Sequence, residues 1–582
     1  MGLSKFTPFK KDRQNFPGVV IPLASAPAHE TISADEKADK SLDRASSSEN
    51  GSAGSLNETS HLTLEALRAE VESDVATSGH DSVYDRKAKV INRALQDIGM
   101  GRYQWELFFL CGFGWTADNL WLQGVALTLT PLSYEFGISE SHVRFTTCAL
   151  FLGLCIGASF WGIASDIIGR RWAFNTTLFL AGTFGLAAGG GPTWIGYHNR
   201  PVTEFLSVPS VCALYACLGL GVGGNLPVDG ALFLEFLPFA SGNMLTMLSV
   251  WWPVGQLIGS LFAWAYIPTF SCSSAEGCTK AQNWGWRYLV LTLGAITFCM
   301  FVARFFFFHL YESPKYLLSR GRQEEAVASV HGIAYKNKTK TWLTTEILNE
   351  IGGHTVIDEE NVEKLSYNEI VMRFFSKFSL ERIRPLFATK RLGFTTVLLW
   401  FCWATIGMGY PLFNAFLPQY LSKSGSTTNS TYITYRNYAI SSIVGLPGSV
   451  LACYTVEIKY VGRKGTMAIA TMITGVLLFC FTASSNSNVQ LACTCIEAFF
   501  QNIMYGVLYA YTPEVFPAPV RGTATGISSC LNRIAGLCAP LVAIYAGGSS
   551  PDAPIYASGA LILAAFVAMV LLPIETRGKQ SL

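Results

Sequence analysis

Long runs of apolar residues alternate with short polar segments along most of this chain. Twelve runs of about 20 residues follow one another, and this is the length that a helix needs to cross a bilayer. Backbone groups in lipid must be hydrogen-bonded within their own segment, so we predict that each run is a helix. The twelve predicted spans cover about residues 104–131, 142–164, 172–190, 208–235, 244–267, 286–309, 391–421, 436–456, 466–485, 488–512, 521–546 and 553–573.

The polar segments divide these spans into two groups of six. Residues 310–390 are long, charged and partly amphipathic, and we predict a linker there between spans 6 and 7. Residues 1–85 are rich in Ser, Ala, Asp, Glu and Lys and poor in aromatic residues, which predicts a disordered tail. Residues 86–103 predict a basic amphipathic helix on the cytoplasmic surface, and residues 574–582 a short cytoplasmic tail.

The two groups of spans resemble each other in sequence. Glu235-Phe-Leu-Pro after span 4 has a counterpart in Glu514-Val-Phe-Pro after span 10. Gly169-Arg170 after span 2 has one in Gly462-Arg463 after span 8. A duplicated six-span unit predicts an all-α fold of two bundles, residues 104–309 and 391–573, related by a pseudo-twofold axis around a central site.

Lysine and arginine are distributed unequally between the two sets of loops. One set holds Arg170, Arg171, Lys315, Arg320, Arg322, Arg463, Lys464, Arg521, Arg577 and Lys579, whereas the other holds few, such as Arg200, Lys280 and Lys423. Positively charged loops stay in the cytoplasm, so both termini are predicted to be cytoplasmic. In the opposite loops, Asn429 begins a glycosylation sequon, and Cys272 and Cys278 share a segment in which they could form a disulfide.

Composition agrees with an integral membrane protein, predicted for the plasma membrane with an internal membrane as the alternative. Of 582 residues, 50% are hydrophobic and 14% are charged, against about 25% charged in soluble proteins. A net charge of +2 argues against a nucleic-acid partner. Eight histidines, mostly isolated, argue against a membrane enzyme, and no cysteine pair has partners at zinc spacing, so neither metal nor cofactor is predicted.

Several motifs together resemble the major facilitator superfamily of transporters, over about residues 90–580. The motifs are Gly162-Ile-Ala-Ser-Asp166-Ile-Ile-Gly169-Arg170-Arg171 after span 2, Glu312-Ser-Pro-Lys315 after span 6, Pro573-Ile-Glu575-Thr576-Arg577-Gly578 after span 12, Gly219 to Asp229 in span 4 and Trp115-Thr-Ala-Asp118-Asn119 in span 1. The motifs after spans 6 and 12 resemble sugar-porter-like members. Those in spans 1 and 4 resemble the branch of synaptic-vesicle glycoproteins, organic-ion transporters and fungal metabolite–proton symporters. Tyr215 stands where that branch usually has an arginine, which weakens a proton-coupling role for span 4.

The resemblance also implies an ion network that closes the cytoplasmic side. Its predicted members are Gly162, Asp166, Gly169, Arg170, Arg171, Glu235, Glu312, Arg463, Glu514, Arg521 and Glu575. We expect Gly162 to permit close helix approach and Gly169 to permit a sharp turn. Charged pairs that form only while helices lie close together suit a protein that changes shape.

Ionisable groups inside a span cost about 2.5–3.5 kcal/mol or more, so they should face a cavity or a partner. Asp118 and Asp229 are candidates for proton coupling. Alternatively, Asp118 is a structural carboxylate hydrogen-bonded to span 4, and Asp229 belongs to the ion network. Glu497 and Arg533 are interpreted as a pair that either is fixed or recognises substrate charge, and Arg304 is expected to extend toward the membrane surface.

Aromatic and amide side chains in the spans could line a site for a small molecule, or could instead pack in the core or face lipid. The candidates are Trp115, Asn119, Gln256, Trp403, Tyr410, Asn414, Gln501 and Tyr505. Span 7 is the strongest candidate, because Gly407, Gly409 and Pro411 are expected to interrupt its helix and expose backbone groups.

The predicted function is transport of a small polar metabolite (a sugar, a carboxylate or an organic ion) by alternating access, coupled to protons, in a monomer. A facilitative uniporter and a non-transporting nutrient sensor on the same fold are the alternatives. A sensor normally needs a long cytoplasmic tail, and this chain ends at Leu582, soon after the last span. The sequence does not identify the substrate.

Overall fold

The computed structural model describes most of the chain and all twelve predicted spans. The described residues are 15–25, 63–78, 83–190, 204–238, 243–353, 383–422, 430–456, 458, 461–484, 486–516, 518–546 and 552–576. Ten of the helices in these ranges are long and apolar enough to cross a membrane. The helices of spans 1 and 3, which carry more polar residues, complete the twelve.

The two halves each consist of six spans, some of them broken into two helical segments. Spans 1 to 6 are Arg102–Phe136, Phe145–Ile168, Arg170–Gly190, Glu204–Val222 followed by Asn225–Phe236, Asn243–Leu248 followed by Trp251–Phe270, and Gly285–Val302 followed by the π-helical turn Ala303–Phe307. Spans 7 to 12 are Lys390–Asn414 followed by Leu417–Ser422, Thr431–Thr455, Gly462–Ala483, Ser487–Val515, Ala518–Ala546 and Ala553–Leu571.

Packing repeats between the halves. Span 3 packs on span 6 as span 9 packs on span 12, span 2 on span 4 as span 8 on span 10, and span 1 on span 5 as span 7 on span 11. Across the junction, span 2 packs on span 11 and span 5 on span 8, and a twofold axis that exchanges the halves interconverts these two contacts. The predicted fold class, two related six-helix bundles, is therefore confirmed.

Five helices of the described ranges form a layer on one end of the bundle. We call this end, where span 1 begins and span 12 ends, the terminal face. The five helices are Leu64–Ser78, Val83–Ile98, Pro314–Ser319, Gln323–Asn337 and Thr345–Gly352. The helix Val83–Ile98 contacts the other four. It is amphipathic as predicted, but its apolar stripe covers the linker helices instead of facing lipid. Even its Lys87 is buried, and the ammonium donates to Gln323 (2.6 Å) and Asn349 (2.9 Å).

The predicted disorder of residues 1–85 was wrong for two stretches. In residues 15–25, Phe16 and Val19 are buried, and the backbone of Thr341 donates to the Val19 carbonyl (2.9 Å). In residues 63–78, Leu67 and Val71 are buried. The average composition of a long polar tail does not reveal the few apolar residues in it that pack against the rest of the protein.

Three further predictions concern two loops and one helix. Cys272 and Cys278 form a disulfide in the loop after span 5, whereas Asn429 lies outside the described residues. The expected interruption of span 7 was misplaced. The helix continues through Gly407, Gly409 and Pro411 as far as Asn414, because a proline can be accommodated when only one backbone hydrogen bond is lost.

Candidate functional site

An ion pair joins the two halves in the middle of the bundle. Asp118 of span 1 is 1% exposed, and its Oδ1 lies 3.0 Å from Nη2 of Arg533 in span 11. Its Oδ2 accepts a hydrogen bond from the indole N–H of Trp252 in span 5 (3.0 Å). The interpretation of Arg533 as the partner of Glu497 was therefore wrong, and the contacts of Asp118 are to spans 5 and 11 rather than to span 4.

Neutral groups extend this junction on both sides. The Gln123 amide donates to the Tyr410 hydroxyl (2.6 Å), and the Tyr438 hydroxyl donates to the Gln123 carbonyl oxygen. Asn119 donates to the Trp252 carbonyl (3.0 Å). Since Tyr410 and Tyr438 belong to spans 7 and 8, a network of neutral hydrogen bonds crosses between the halves. The buried amide of Gln256 lies against Tyr438.

A second acid, Glu497 of span 10, lies in the same layer. It is 2% exposed, and its Oε1 accepts from the Gln501 amide (2.7 Å). Gln501 in turn accepts from Asn414 of span 7 (3.2 Å). No atom of the described residues is hydrogen-bonded to Glu497 Oε2. The site therefore contains two acids and one arginine.

A small aromatic cavity lies next to the ion pair. Its lining includes Trp115, Trp252, Tyr505 and Tyr509, together with Ser449 and Asn502, from both halves. Its free volume in this closed conformation is about 10 Å³, room for at most one water molecule. Among the described residues nothing accepts a hydrogen bond from the Trp115 indole N–H. This donor and the aromatic walls could hold a small organic solute once the cavity widens.

Trp403 is the one predicted substrate residue that is turned away from this centre. Its indole N–H donates to Thr512 (3.0 Å). Its ring packs edge-on against Tyr509, with the ring centroids 4.8 Å apart. It therefore supports the cavity wall instead of facing a solute. The other seven predicted residues lie in the hydrogen-bond network or line the cavity.

The two halves are also held together at the other end of the bundle, which we call the opposite face. Arg144, which precedes span 2, donates to Gln419 of span 7 (3.0 Å) and to the Ala543 carbonyl of span 11 (2.8 Å). Tyr435 of span 8 donates to the Leu127 carbonyl of span 1 (2.8 Å). The conformation is therefore closed at the opposite face.

The terminal face carries two matching ion clusters. In the first half, the backbone N–H of Arg170 donates to Glu312 (3.0 Å), and its guanidinium pairs with Glu235 (3.2 Å). Burial raises the pKa of Glu312, although the backbone N–H groups of Ser313, Arg171 and Arg170 lower it. In the second half, Arg463 and Lys464 donate their backbone N–H groups to Glu575 (both 3.1 Å), and Arg463 pairs with Glu514.

Gly169 is required where this first cluster turns. Its φ is +103°, and a Cβ there would lie 2.8 Å from Glu312 Oε2. Gly462, with φ +60°, occupies the equivalent position beside Glu575. At Gly162, by contrast, no described atom lies within 4 Å of an added Cβ, so the expected close helix approach is not found there. The side chains of Asp166 and Arg521 lie outside the described residues.

We expect Gly169→Ala to destabilise the protein, while Gly162→Ala serves as the matched control. The alanine must adopt a backbone conformation that costs about 1–3 kcal/mol and must displace Glu312. Thermal unfolding of the detergent-solubilised protein should show a midpoint lowered by several degrees for Gly169→Ala and unchanged for Gly162→Ala. Equal midpoints for the two variants would contradict a special role for the turn.

Asp229 lies away from the junction, in a fully buried pair with Arg304 inside the first half (2.8 Å). The expectation that Arg304 extends toward the membrane surface was wrong, because Asp229 lies at its depth. Glu135 and Arg287 form another buried pair in this half (2.6 Å). Both of these pairs lie within the first half, whereas the pair of Asp118 and Arg533 joins the two halves.

Sequence reasoning missed three residues at this centre: Trp252, Tyr438 and Tyr509. Each is an aromatic residue in an apolar run, and nothing in the sequence separates it from the aromatics that face lipid. One weak signal exists for Trp252, which is followed by Pro253 within span 5 and so lies near a helix irregularity.

Comparison with known proteins identifies the family. The Major Facilitator Superfamily profile matches residues 107–457 and 437–581. MFS siderochrome iron transporter 1 of Ceriporiopsis subvermispora is 44% identical over 508 residues, 86% of this chain and 93% of that protein. Organic cation/carnitine transporter 7 of Arabidopsis thaliana is 27% identical over 519 residues, 84% of this chain and 95% of that protein.

Among solved structures, the proton:xylose symporter XylE bound to 6-bromo-6-deoxy-D-glucose has the same fold. The TM-score is 0.60 at 20% sequence identity, over 82% of this chain and 98% of that chain. Profile, relatives and fold agree with the motifs at the terminal face and with the twelve helical spans. This chain belongs to the Major Facilitator Superfamily and is an integral membrane transporter, not an enzyme.

Proposed function

We propose that this protein transports a small polar metabolite by alternating access and that a proton gradient drives the transport. The observation that carries the proposal is the buried pair of Asp118 and Arg533, which links spans of different halves. Separation of the halves at this point requires that the pair break. Protonation of Asp118 removes its charge and so weakens the pair.

The cavity beside this pair supports a solute site. Aromatic walls bury apolar surface, while Trp115, Asn119 and Arg533 supply polar groups that orient a sugar, a carboxylate or an organic ion. When Asp118 is protonated, the Arg533 guanidinium is free to bind an acceptor group of the solute. The proton and the solute would thus act on the two members of the same ion pair, the proton on Asp118 and the solute on Arg533.

The two ion clusters at the terminal face are proposed to control access from that side. Each holds the loop between two spans against the end of a third, and the matching geometry allows the halves to move as units. The excess of Lys and Arg in these loops supports a cytoplasmic terminal face. We place the protein, as a monomer, in the plasma membrane.

The test is uptake by proteoliposomes that contain the full-length protein, with and without an inward proton gradient. The probes are carnitine, a ferric siderochrome and xylose, which are the compounds named for the relatives above. Uptake of at least one probe should increase with the gradient. Uptake that ignores the gradient would indicate a uniporter, and binding without uptake would favour a sensor.

Asp118→Asn should abolish gradient-driven accumulation and retain counterflow of the same probe. An amide cannot take up the proton that couples the pair to the gradient, so accumulation should fall at least about tenfold. Asp552→Asn, which neutralises an exposed acid at the opposite face, is the control and should behave as wild type. Full gradient-driven accumulation by Asp118→Asn would refute Asp118 as the coupling residue.

A further inference from the structure

The centre of the bundle has an unbalanced set of charges. Asp118 and Arg533 neutralise each other. Glu497 shares its layer; among the described residues its hydrogen-bond donor is the neutral amide of Gln501, and the neutral amide of Asn414 lies next to it. If both acids were ionised, this centre would hold one negative charge that no cation among the described residues balances.

Such a charge would be costly where Glu497 lies. The side chain is 2% exposed, and its Oε2 is buried without a described hydrogen-bond partner. An isolated ionised carboxylate in an apolar interior costs far more than a neutral one, so it becomes neutral by taking up a proton. No hydrated ion or organic cation reaches Oε2 in this closed conformation, because the atom has no accessible surface. A proton is the cation that fits.

From this geometry we propose that Glu497 is a proton-binding residue of the transport cycle, protonated while the opposite face is closed. The proposal deepens the proposed function and rests on it. It gives the two central acids different tasks. Asp118 is ionised and paired with Arg533 in this conformation, while Glu497 carries the proton.

The hydrogen bonds around Glu497 fit both of its charge states. When ionised, the carboxylate accepts the Gln501 N–H at 2.7 Å. When protonated, it can donate to the Gln501 carbonyl oxygen if that amide turns over, and Asn414 can turn with it, since an amide presents a donor and an acceptor of similar shape. The protonated state therefore keeps its hydrogen bond and leaves no bare charge.

In the part of the chain that the structure describes, the titratable groups that face Glu497 come from three spans. They are Tyr410 of span 7, Tyr438 of span 8 and Tyr505 of span 10. All three are neutral at physiological pH and so do not compensate a negative charge. Asp118 lies beyond Tyr410 and Tyr505 and interacts with both. The proton is gained as one carboxylate oxygen binds H⁺ from water and is lost by the reverse step when the halves rearrange.

Infrared spectroscopy of the full-length protein in lipid nanodiscs, with the spectra of wild type and variants compared, tests this directly without a substrate. At neutral pH the wild type should show a carbonyl band from a protonated carboxylic acid that shifts slowly in D₂O. The band should be lost in Glu497→Gln, retained at a shifted frequency in Glu497→Asp, and unchanged in Asp552→Asn. A wild-type spectrum without the band, or a band unchanged in Glu497→Gln, would overturn the proposal.

Transport separates this inference from the proposed function. If the wild type accumulates a probe with the proton gradient, Glu497→Gln should lose at least about tenfold of that accumulation while counterflow persists. Wild-type-like accumulation by Glu497→Gln would refute the proton role of Glu497 and leave gradient-driven transport intact. A wild type that ignores the gradient would refute the proposed function instead, whatever the infrared band shows.

Discussion

Arg304→Leu is expected to leave the protein largely unfolded or misassembled. Arg304 is fully buried and pairs with Asp229 of span 4 (2.8 Å). Its guanidinium also donates to the carbonyls of Phe174 in span 3 (2.6 Å) and Leu110 in span 1 (2.5 Å). It lies 3.5 Å from the centroid of the Phe174 ring. One side chain of span 6 thus connects three other spans.

Loss of the arginine would leave the Asp229 carboxylate buried without its counter-charge. Breaking a buried pair in this way costs about 3–5 kcal/mol, a large share of the roughly 5–15 kcal/mol that stabilises a typical protein. We therefore expect a sharp fall in monodisperse protein on size-exclusion chromatography. The thermal midpoint of whatever remains should also fall.

Two comparisons make this result specific to the buried pair. Arg322→Leu removes an exposed pair with Glu325, and such pairs contribute only about 0–1 kcal/mol, so its midpoint should stay near wild type. The double variant Asp229→Asn with Arg304→Met removes both charges and should recover part of the lost yield. A wild-type midpoint for Arg304→Leu, or a double variant no better than the single one, would contradict the role given to the pair.

This pair also shows what sequence alone leaves undetermined. The apolar runs and repeated Glu, Gly and Arg motifs predicted the spans, the division into halves and the members of the clusters at the terminal face. They did not give the depth at which each charge lies. Arg304 is near a helix end and was expected to extend outward, yet a π-helical turn and Asp229 keep it inside.

The central site was predicted in part for the same reason. Asp118, Asn119 and Tyr410 were identifiable because polar groups within apolar runs are costly to bury and so must face a partner or a cavity. Their partners were not, since Asp118 and Arg533 are 415 residues apart and no local pattern sets the register of one half against the other. Glu497 lies nearer in sequence to Arg533 and was therefore assigned to it. Which charged residues pair across the junction is determined by how the two halves pack.

Arg144→Ala should open the opposite face. Arg144 is buried and bonds to Gln419 and to the Ala543 carbonyl, and its guanidinium lies 4.5 Å from the centroid of the Phe416 ring. All three partners belong to the second half, so these contacts exist only while this face is closed. Hydrogen bonds from a charged group contribute about 1.5–3 kcal/mol each. The loss of both bonds, about 3–6 kcal/mol together, should shift the closed-to-open equilibrium by about 150-fold or more.

Cys148 provides the measurement, because it is half-buried one helical turn below Arg144 on span 2, beside Cys538 of span 11. With the other free cysteines replaced by serine, its labelling by a membrane-impermeant maleimide should accelerate in Arg144→Ala. His142→Ala alters an exposed side chain of the same segment and should label as wild type. An unaccelerated rate in Arg144→Ala would mean that these contacts accompany closure without stabilising it. Closure would then depend on the hydrogen bond of Tyr435 to the Leu127 carbonyl, or on the pair of Asp118 and Arg533 at the centre. That pair would have to separate before the opposite face could open.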